Sequence, residues 1–569
     1  MELLNRRTFV KGAALGTVGA GLAGSLSAAS ADEASQILEV SQLNAGWLEP
    51  EPETPEPVET VTADVIVLGG GTGGLYAAAS TSEKGLKTIV IEQNETVSTV
   101  RNDFGSISSK YQQAEGVTVD KRAVMNYHIM QNSARFDQRL QKIWAEESGA
   151  AVDWVGGLYE QYGAQMLYEG GYEPEFTGHN IPKFPTGHSG HFENCEKYAS
   201  GCEIFQQYIL DNGGEFRFST AFVKFEHDGK KVTAAIAQDK TTGDYIRFVG
   251  EKGIILATGG YQGNNEMLKA LQPETFNLCL SWGSSCAGAG IKACLWMGAE
   301  MDDAHSTMLF DRAGLLPTET QADFSTFAFF QLGSQPWLKV NLKGERFMNE
   351  SALYDYAPHA CSMQPGKLCI SVLDANYWQN ITQFETVGCS RVYPFPNGTP
   401  NDGQLNYADD EYESRIAGSL NGWIESGIMQ QADTLEELAE KMGLPVETFV
   451  ATVERYNELA KNGDDEDFYK DAYRMIPLET PPFYAIRNSS MILSTLDGIR
   501  IDTHSHPLGT DGEPFEGLYV VGDSSGSFFA HSYPNLVTGY ANGRTCTFAR
   551  RIAREINGEE VKDYTIIAK

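Results

Sequence analysis

The chain has 569 residues, of which 41 % are hydrophobic and 21 % charged, and this ordinary globular composition excludes a fibrous or wholly disordered protein. Acidic residues outnumber Lys and Arg by 76 to 43, and the net charge of −33 argues against binding to nucleic acid or to an anionic membrane surface. Nine cysteines, an odd number without a CxxC spacing, indicate neither a disulfide framework nor an attached c-type haem.

The N-terminus has the pattern of an export signal. Arg6 and Arg7 precede a weakly hydrophobic stretch rich in Gly and Ala, from Gly12 to about Ala29, and small residues at 29–31 offer a cleavage site. The pattern resembles a twin-arginine signal peptide over residues 1–31, which implies export of the folded chain to the periplasm or cell envelope. The glycines and the low hydrophobicity disfavour a membrane anchor, so no stable membrane span is expected after cleavage.

Residues 32–62 predict a linker. They include eight acidic residues, no basic residue and the prolines Pro50, Pro52, Pro55 and Pro57. Such a segment has too little apolar surface to bury a core, and we interpret it as an extended, acidic, Pro-rich spacer. The folded part is then expected to begin at Ala63.

A nucleotide-binding motif opens the folded part. Residues 63–68 are typical of a buried parallel strand, the turn GGGTGG follows at 69–74, and 75–85 and 87–91 predict a helix and a second strand. In GxGxxG the first glycine permits a tight turn, the second lets the backbone approach a pyrophosphate, and the third lets helix and strand pack closely. Glu92, at the end of the second strand, is placed to bond the adenosine ribose. The predicted contacts are Gly69, Gly71, Thr72, Gly73, Gly74, Glu92 and Gln93.

Two later segments favour FAD over NAD as the dinucleotide. GIILATGG at 253–260 and GLYVVGD at 517–523 each look like a strand that runs into a glycine turn. With the first motif they resemble the FAD domain of the fumarate reductase/succinate dehydrogenase flavoprotein family, over residues 63–557. The resemblance implies that Asp523 binds the ribityl chain of FAD and that a helix over 537–556 points its N-terminus at the flavin. The further contacts that it implies are Thr258, Gly259, Gly260, Asp523 and Val537.

The same resemblance implies a domain arrangement, because the family inserts a cap between two parts of its FAD-binding domain. We expect an α/β fold with a Rossmann-like FAD-binding domain at 63–304 and 486–569 and an inserted α+β cap domain at 305–485. The family's Ser-Gly-Ala-Thr site for covalent flavin is missing, so FAD is expected to bind non-covalently. No cytochrome or iron–sulfur segment is fused, so a separate electron-donor protein or a quinol-linked cytochrome is expected.

The substrate site departs from the fumarate pattern. Fumarate and urocanate reductases hold an anionic substrate with arginines and histidines, and one arginine delivers the proton. The place of that arginine is Tyr354, the family's His-His-Thr-Met-Gly-Gly segment is LSTLDG at 493–498, and the cap histidine falls at about Phe310. The Asn-Arg pair near the C-terminus is replaced by Ser532 and Tyr533. A buried dicarboxylate would lose its counter-charges here, which disfavours a fumarate reductase.

The replacements are similar to the 3-ketosteroid Δ1-dehydrogenase branch of the superfamily. The similarity lies in NESALYD at 349–355 and HSYP at 531–534. It implies that Tyr354 exchanges a proton with a substrate carbon and that Tyr533 donates a hydrogen bond to the substrate oxygen. A neutral phenol can do both without a charged substrate. The branch has a glycine where Val537 stands, and the role expected of that residue belongs to its backbone N–H.

The sequence therefore predicts an exported FAD-dependent oxidoreductase that reduces the C=C bond of a neutral enone or aryl-conjugated acceptor. One alternative is a 3-ketosteroid Δ1-dehydrogenase, and another is an organic-acid reductase anchored by Arg101, Arg312 or Arg391. A third is a flavin-binding electron carrier without an organic substrate. Tyr354 as core packing and Tyr533 as part of a buried turn remain open at this point.

Two further patterns have structural explanations. The histidines of GHSGH at 187–191 and of His504-Ser-His506 lack a third ligand at a sensible spacing, so no metal is expected. The aromatic run at 324–330 is most simply core, and any part of it that lines the cleft would suit a flat hydrophobic substrate.

Overall fold

The glycines of the first motif lie at one edge of a largely parallel sheet. In the computed structural model, which describes residues 46–98, 101–170, 184–192, 195–281, 285–325, 327–386, 390–392 and 412–565, strand β1 (Glu59–Leu68) enters the motif and helix α1 (Thr72–Ser82) leaves it. The last four residues of β1 are apolar and fully buried, as expected for a strand that is covered on both faces. The predicted signal peptide at 1–31 lies outside the described residues.

Strand β1 begins earlier than the sequence predicts. Its first residue is Glu59, whereas the linker was expected to continue to Thr62 and the fold to start at Ala63. Residues Glu59 to Ala63 pair in parallel with Ile246 to Gly250. These ladder hydrogen bonds order a segment whose own composition favours an unstructured chain. Residues 46–50, the described part of a separate unit, contain neither helix nor strand.

The other elements follow in chain order. The remaining described strands are β2 (Thr88–Ile91), β3 (Asp103–Gly105), β4 (Gln165–Tyr168), β5 (Gly187–His191), β6 (Glu215–Arg217), β7 (Thr220–Asp228), β8 (Lys231–Asp239), β9 (Tyr245–Leu256), β10 (Cys279–Ser281), β11 (Thr307–Leu315), β12 (Ala328–Phe329), β13 (Leu338–Val340), β14 (Cys369–Leu373), β15 (Met429–Ala432), β16 (Phe483–Thr495) and β17 (Leu518–Val520). The remaining described helices are α2 (Lys110–Ala114), α3 (Lys121–Gln131), α4 (Gln138–Gln161), α5 (Gly201–Asp211), α6 (Asn265–Leu271), α7 (Pro273–Leu278), α8 (Ala289–Trp296), α9 (Ala357–Ser362), α10 (Tyr377–Gln383), α11 (Tyr412–Glu425), α12 (Leu435–Met442), α13 (Val446–Asn462) and α14 (Tyr540–Ile556).

The first sheet is the expected Rossmann-like layer. In the described chain its order is β6-β2-β1-β9-β8-β7, with β17 also paired to β9. The pairs β2–β6, β1–β2, β1–β9 and β9–β17 are parallel, while β7 and β8 continue the sheet in antiparallel fashion. Helices α1 and α14 pack together beside this sheet. The parallel strands place the three glycine turns at the same edge, because each turn follows the carboxyl end of its strand.

The second sheet belongs to the cap. Strands β12, β11, β16, β14 and β13 lie in that order, and β10 and β15 also pair with β16. Helices α12 and α13 cover one side, where Leu438, Phe449 and Val453 join the buried side chains of β13 and β14. Thr434 caps α12 by accepting a hydrogen bond from the N–H of Glu437, and Gly443 ends the helix in a left-handed conformation.

Strand β16 runs across the expected boundary between residues 485 and 486. Its first part pairs with β14 and β15, and its last part pairs with β10 and β11. The second sheet therefore includes residues that the sequence assigns to the FAD-binding domain. Among the described residues, no helix combines the length and the apolar composition needed to cross a membrane.

Candidate active site

The first glycine turn has no space for a side chain at either end but has space in its middle. A Cβ on Gly69, whose φ is +107°, would lie 2.5 Å from the carbonyl oxygen of Ala257, and one on Gly74 would lie 1.8 Å from the oxygen of Gly69. At Gly71 the same construction meets only Ser98 Cβ, at 3.9 Å. Gly71 also begins α1 without a side-chain cap. The turn thus leaves room for a phosphate group beside the N-terminus of a helix, which fits a dinucleotide.

Glu92 is fixed by the turn that it follows. Its carboxylate accepts hydrogen bonds from the N–H of Gly70 (2.7 Å) and from the backbone and side chain of Asn94 (2.9 and 2.7 Å). The exposed Gln93 donates through Nε2 to the carbonyl of Ser285 (3.0 Å). These bonds hold the carboxylate against the turn, and the ribose contact assigned to Glu92 stays a prediction.

The second and third glycine turns are joined to each other. Leu256 at the end of β9 pairs with Leu68 on one side and with Val520 on the other, so the three turns emerge side by side. The hydroxyl of Ser524 donates to the carbonyl of Gly259 (2.9 Å). A Cβ on Gly260 would lie 1.9 Å from Thr495 Oγ1, which shows how closely this turn approaches β16.

Asp523 is a partly buried carboxyl in the third turn. Burial raises its pKa, and the positive charges of Arg544 and Arg101 oppose that rise. Arg544 lies on α14 and donates to the carbonyl oxygens of Gly522 and Ser525, both at 2.9 Å. Arg544 has no signal in the sequence, because only the fold brings it beside Asp523. These three turns together fit FAD, and the ribityl contact implied for Asp523 stays a prediction.

Helix α14 begins later than predicted. The helix starts at Tyr540 after Gly539, which has a φ of +69°. Val537 precedes the helix, and its N–H donates to the carbonyl of Pro534 (2.9 Å) and closes a turn. The cofactor contact expected of this N–H stays a prediction.

Tyr533 is tied to the beginning of α14. Its hydroxyl oxygen accepts a hydrogen bond from the N–H of Ala541 (3.1 Å), and its side chain is 3 % exposed. The first N–H groups of a helix lack partners within the helix and carry its positive end. The bond orients the phenol. Tyr533 is thus buried beside a turn, close to the structural alternative, and the donor role expected of its O–H stays a prediction.

Tyr354 lies in a buried ring cluster in the cap. It is 3 % exposed, and its ring meets that of Phe310 edge to face, with 5.0 Å between centroids. Phe310 occupies the position where the fumarate pattern has a histidine. The guanidinium carbon of Arg312 lies 5.9 Å from the centroid of Tyr354.

Asp355 connects the two predicted catalytic tyrosines. This buried residue follows Tyr354 and accepts a hydrogen bond from the N–H of Leu309 (2.5 Å). Burial raises the pKa of Asp355 to about 7, and bonds from the backbone of Tyr533 and the side chain of Asn535 act against the rise. The next residue, Tyr356, donates to the carbonyl of Tyr533 at 3.5 Å. The fold therefore brings the loop of Tyr354 against the segment of Tyr533. In the sequence, Asp355 at the end of NESALYD is the only sign of this link.

Other residues singled out in the sequence have structural partners. Asn349 donates to the carbonyl of Phe468 (3.1 Å), and Glu350 forms a buried ion pair with Arg346 (2.9 Å). His531 is exposed. Three of the four histidines considered as metal ligands bond to protein groups: His188 Nε2 with Ser109 Oγ (2.7 Å), His504 Nδ1 with Glu555 Oε1 (2.9 Å) and His506 Nδ1 with Asp502 Oδ2 (3.3 Å).

Comparison with known proteins agrees with this arrangement. Residues 64–535 match the profile of the family described as FAD binding domain. The chain is 24 % identical over 492 residues to the vinyl phenol reductase of Lactiplantibacillus plantarum, which covers 84 % of this chain and 94 % of that protein. It is 30 % identical over 375 residues to a 3-oxosteroid 1-dehydrogenase of Mycolicibacterium smegmatis, covering 61 % of this chain and 60 % of that one.

A solved structure shares the fold. The open conformation of a flavocytochrome c3 fumarate reductase superposes with a TM-score of 0.64 at 20 % identity, over 94 % of this chain and 81 % of that chain. The two chains thus share the fold.

Proposed function

Because this chain belongs to the FAD-binding-domain family and is an FAD-dependent oxidoreductase, we propose that it reduces the C=C bond of a neutral enone or aryl-conjugated acceptor. The relative of similar length is named for the reduction of a vinyl phenol, an aryl-conjugated alkene. The buried tyrosines at the substrate positions support a neutral acceptor, because they replace the charged groups that bind a dicarboxylate.

In this proposal the two tyrosines have separate tasks. FAD, when bound, supplies the hydride that reaches the β-carbon of the alkene. Tyr533 donates its O–H to the substrate oxygen and stabilises the negative charge that develops there. Tyr354 gives its proton to the α-carbon and is reprotonated from solvent. The cap rings around Tyr354 keep bulk water away from the reacting carbons.

One observation carries the proposal. Asp355 accepts a bond from the N–H of Leu309, and its neighbour Tyr356 donates to the carbonyl of Tyr533, so the loop of Tyr354 lies against the segment of Tyr533. Two phenols in unrelated packing positions would have no need of such a link. This link supports the proposal that a proton donor and an oxygen-polarising donor act on one conjugated acceptor.

Steroid dehydrogenation is the second candidate, and the similarity to the 3-oxosteroid 1-dehydrogenase favours it. The same tyrosines could run the reaction in reverse, with Tyr354 as the proton acceptor. The two candidates differ in which form of the enzyme reacts. Reduction reoxidises the reduced flavin with an enone, and dehydrogenation bleaches the oxidised flavin with a saturated 3-ketosteroid.

The test is anaerobic stopped-flow absorbance of the visible flavin band. Enzyme reduced with dithionite, which bypasses the separate electron-donor protein that we also propose, is mixed with aryl enones, aliphatic enones, fumarate and urocanate. Tyr354→Phe should slow reoxidation by an enone about 100-fold or more, because the proton donor is lost. Tyr533→Phe should slow it by about 100- to 1000-fold through loss of the hydrogen bond to oxygen.

Tyr469→Phe is the matched control, since Tyr469 is 83 % exposed in the cap. It should keep the wild-type rate. Full turnover in Tyr354→Phe would refute its proton role, and rapid reoxidation by fumarate or urocanate would refute the neutral substrate class. Bleaching of the oxidised enzyme by a saturated 3-ketosteroid, with no reaction of enones, would establish the second candidate.

A further inference from the structure

A β-bulge sets the direction of Arg312. Phe310 of β11 pairs with Met491 of β16, and Ala313 pairs with Ser489, so two residues of β11 oppose one of β16. Bulges of this kind re-aim side chains and are common beside active sites. The turn at Gly333 packs directly on the bulge, because a Cβ there would lie 1.9 Å from the carbonyl oxygen of Asp311.

The re-aimed guanidinium lies among aromatic rings. Its carbon is 4.7 Å from the ring centroid of Phe310, and 5.9 Å from those of Phe329 and Tyr354. Arg312 is only 9 % exposed, and its Nε donates to Ser334 Oγ (2.8 Å). The same hydroxyl donates to Asp311 Oδ1 (2.6 Å), so the head group is oriented from within the bulge.

The ring cluster extends from Tyr354 to solvent. Phe329 stands on β12, where it pairs with Ala313, and it is 39 % exposed. Phe327 and Phe324 on the same segment are 44 % and 38 % exposed. Large apolar side chains that remain exposed together often mark a binding surface. Of these exposed rings, Phe329 lies near the buried cation, which in turn lies near the predicted proton donor.

We propose that Arg312 and Phe329 form the subsite for the aryl ring of the acceptor, and that Arg312 makes the enzyme prefer aromatic acceptors. This inference rests on the proposed function and selects between its two substrate classes. A guanidinium attracts the face of an aromatic ring and stacks on it. A saturated ring of the same size gains the hydrophobic contact with Phe329 but not the attraction to the cation.

Charge complementarity also fixes the preferred kind of ring. An oxygen substituent enriches the π-face with electrons and strengthens its attraction to a cation. We therefore expect an oxygen-substituted aryl ring to bind most tightly. Electron-donating groups slow hydride acceptance at the alkene, so the preference has to be measured as binding and not as a rate.

The test uses the oxidised holoenzyme and the change in flavin absorbance when a ligand binds. The ligands are 4-(4-methoxyphenyl)but-3-en-2-one, its unsubstituted phenyl analogue, and 4-cyclohexylbut-3-en-2-one. The wild type should bind in that order of decreasing affinity. Arg312→Gln should reduce the preference for phenyl over cyclohexyl by about 3- to 30-fold, whereas Arg312→Lys should keep part of it.

Arg500→Gln is the control, because Arg500 pairs with Glu300 near the surface, outside the ring cluster. It should leave the order and the ratio unchanged. Melting temperature and flavin content identify any Arg312 variant that fails to fold, and Phe329→Leu then tests the subsite from its other side, with the same loss of preference expected.

The outcomes separate the two proposals. An unchanged phenyl-to-cyclohexyl ratio in both Arg312→Gln and Phe329→Leu would overturn the subsite, even if enones are reduced rapidly. Binding of 4-methoxycinnamate that far exceeds that of the neutral enones and is lost in Arg312→Gln would also overturn it, since Arg312 would then be an anion anchor. A ring preference that depends on Arg312, with no acceptor able to reoxidise the reduced flavin, would support the subsite and refute the proposed reductase.

Discussion

Asp302 is a carboxyl that the fold places among backbone donors in a confined space. Its oxygens accept bonds from the N–H of Ser527 at 3.0 and 2.9 Å, and a Cβ on Gly526 would lie 2.1 Å from Oδ2. Burial, together with the nearby charge of Asp497, raises the pKa of Asp302 to about 7. The N–H donors thus favour the ionised carboxylate, whereas burial favours the protonated carboxyl.

The pH dependence of stability follows from that shift. Between about pH 4 and pH 7 the folded state binds more protons at Asp302 than the unfolded state does, so the free energy of unfolding falls as the pH rises, by up to about 1.4 kcal/mol per unit. Asp302→Asn removes this term. The stability of wild type minus that of the variant should therefore be smaller at about pH 8 than at about pH 5 in thermal unfolding of the holoenzyme.

Asp303→Asn serves as the control, because Asp303 is the exposed neighbour. Its difference from the wild type should stay constant over the same range. Residues such as His128, whose pKa burial lowers to about 3, contribute with the opposite sign, but they are present in every variant and cancel. A difference between wild type and Asp302→Asn that does not change with pH would contradict the assignment.

At the scale of elements, the close approach of β1 to α1 depends on one missing side chain. Gly74→Ala would place a methyl group 1.8 Å from the carbonyl oxygen of Gly69, against backbone that cannot move aside. The turn and the start of α1 should separate, and the phosphate cradle should open. We expect purified Gly74→Ala to carry less than about a tenth of the wild-type flavin, measured as the ratio of flavin to protein absorbance.

The control for this substitution is Gly157→Ala on α4, where a Cβ meets nothing within 4 Å. Alanine in a helix interior should keep or slightly raise stability, by about 0.5 to 1 kcal/mol, with full flavin content. Normal flavin content in Gly74→Ala would show that the turn tolerates the methyl group, and the close packing would then have no role in FAD binding.

The elements also show what could be predicted from sequence and what could not. The motif at Gly69–Gly74 can be recognised in the sequence because its strand, turn and helix are adjacent in the chain. The start of β1 at Glu59 and the extent of β16 depend on partner strands that are distant in sequence. The link from Asp355 to Tyr533 depends on how distant segments are aligned, and so does the direction of the Arg312 side chain at the bulge. Such alignment cannot be deduced from the type of a single residue.

At the scale of the whole molecule, a buried charge network joins distant parts of the cap. Glu350 pairs with Arg346 and, at 3.3 Å, with Lys470, while Arg346 also binds Asp465 (2.7 Å). The network connects the loop before Tyr354 to the segment after α13. The pair Asn349-Glu350, which precedes Tyr354 in the sequence, thus helps to support the substrate site.

Removing one charge from this network should destabilise the protein. Glu350→Gln leaves Arg346 and Lys470 with less compensation in a buried place, and such losses cost about 3 to 5 kcal/mol. Glu437→Gln removes an exposed pair with Lys441 and should leave the stability nearly unchanged, because water screens such a pair. Denaturant unfolding of the two holoenzymes measures the contrast, and equal effects would mean that the buried network contributes no more than a surface pair.

The continuity of β16 limits how this molecule can open. A lid that swings needs a few residues able to absorb large changes in backbone angles. Residues Phe483–Thr495 are instead hydrogen-bonded to strands on both sides of the expected boundary. The cap therefore has no hinge at Phe483–Thr495. A substrate has to enter either through an elastic twist of the sheet or from the opposite end of the cap.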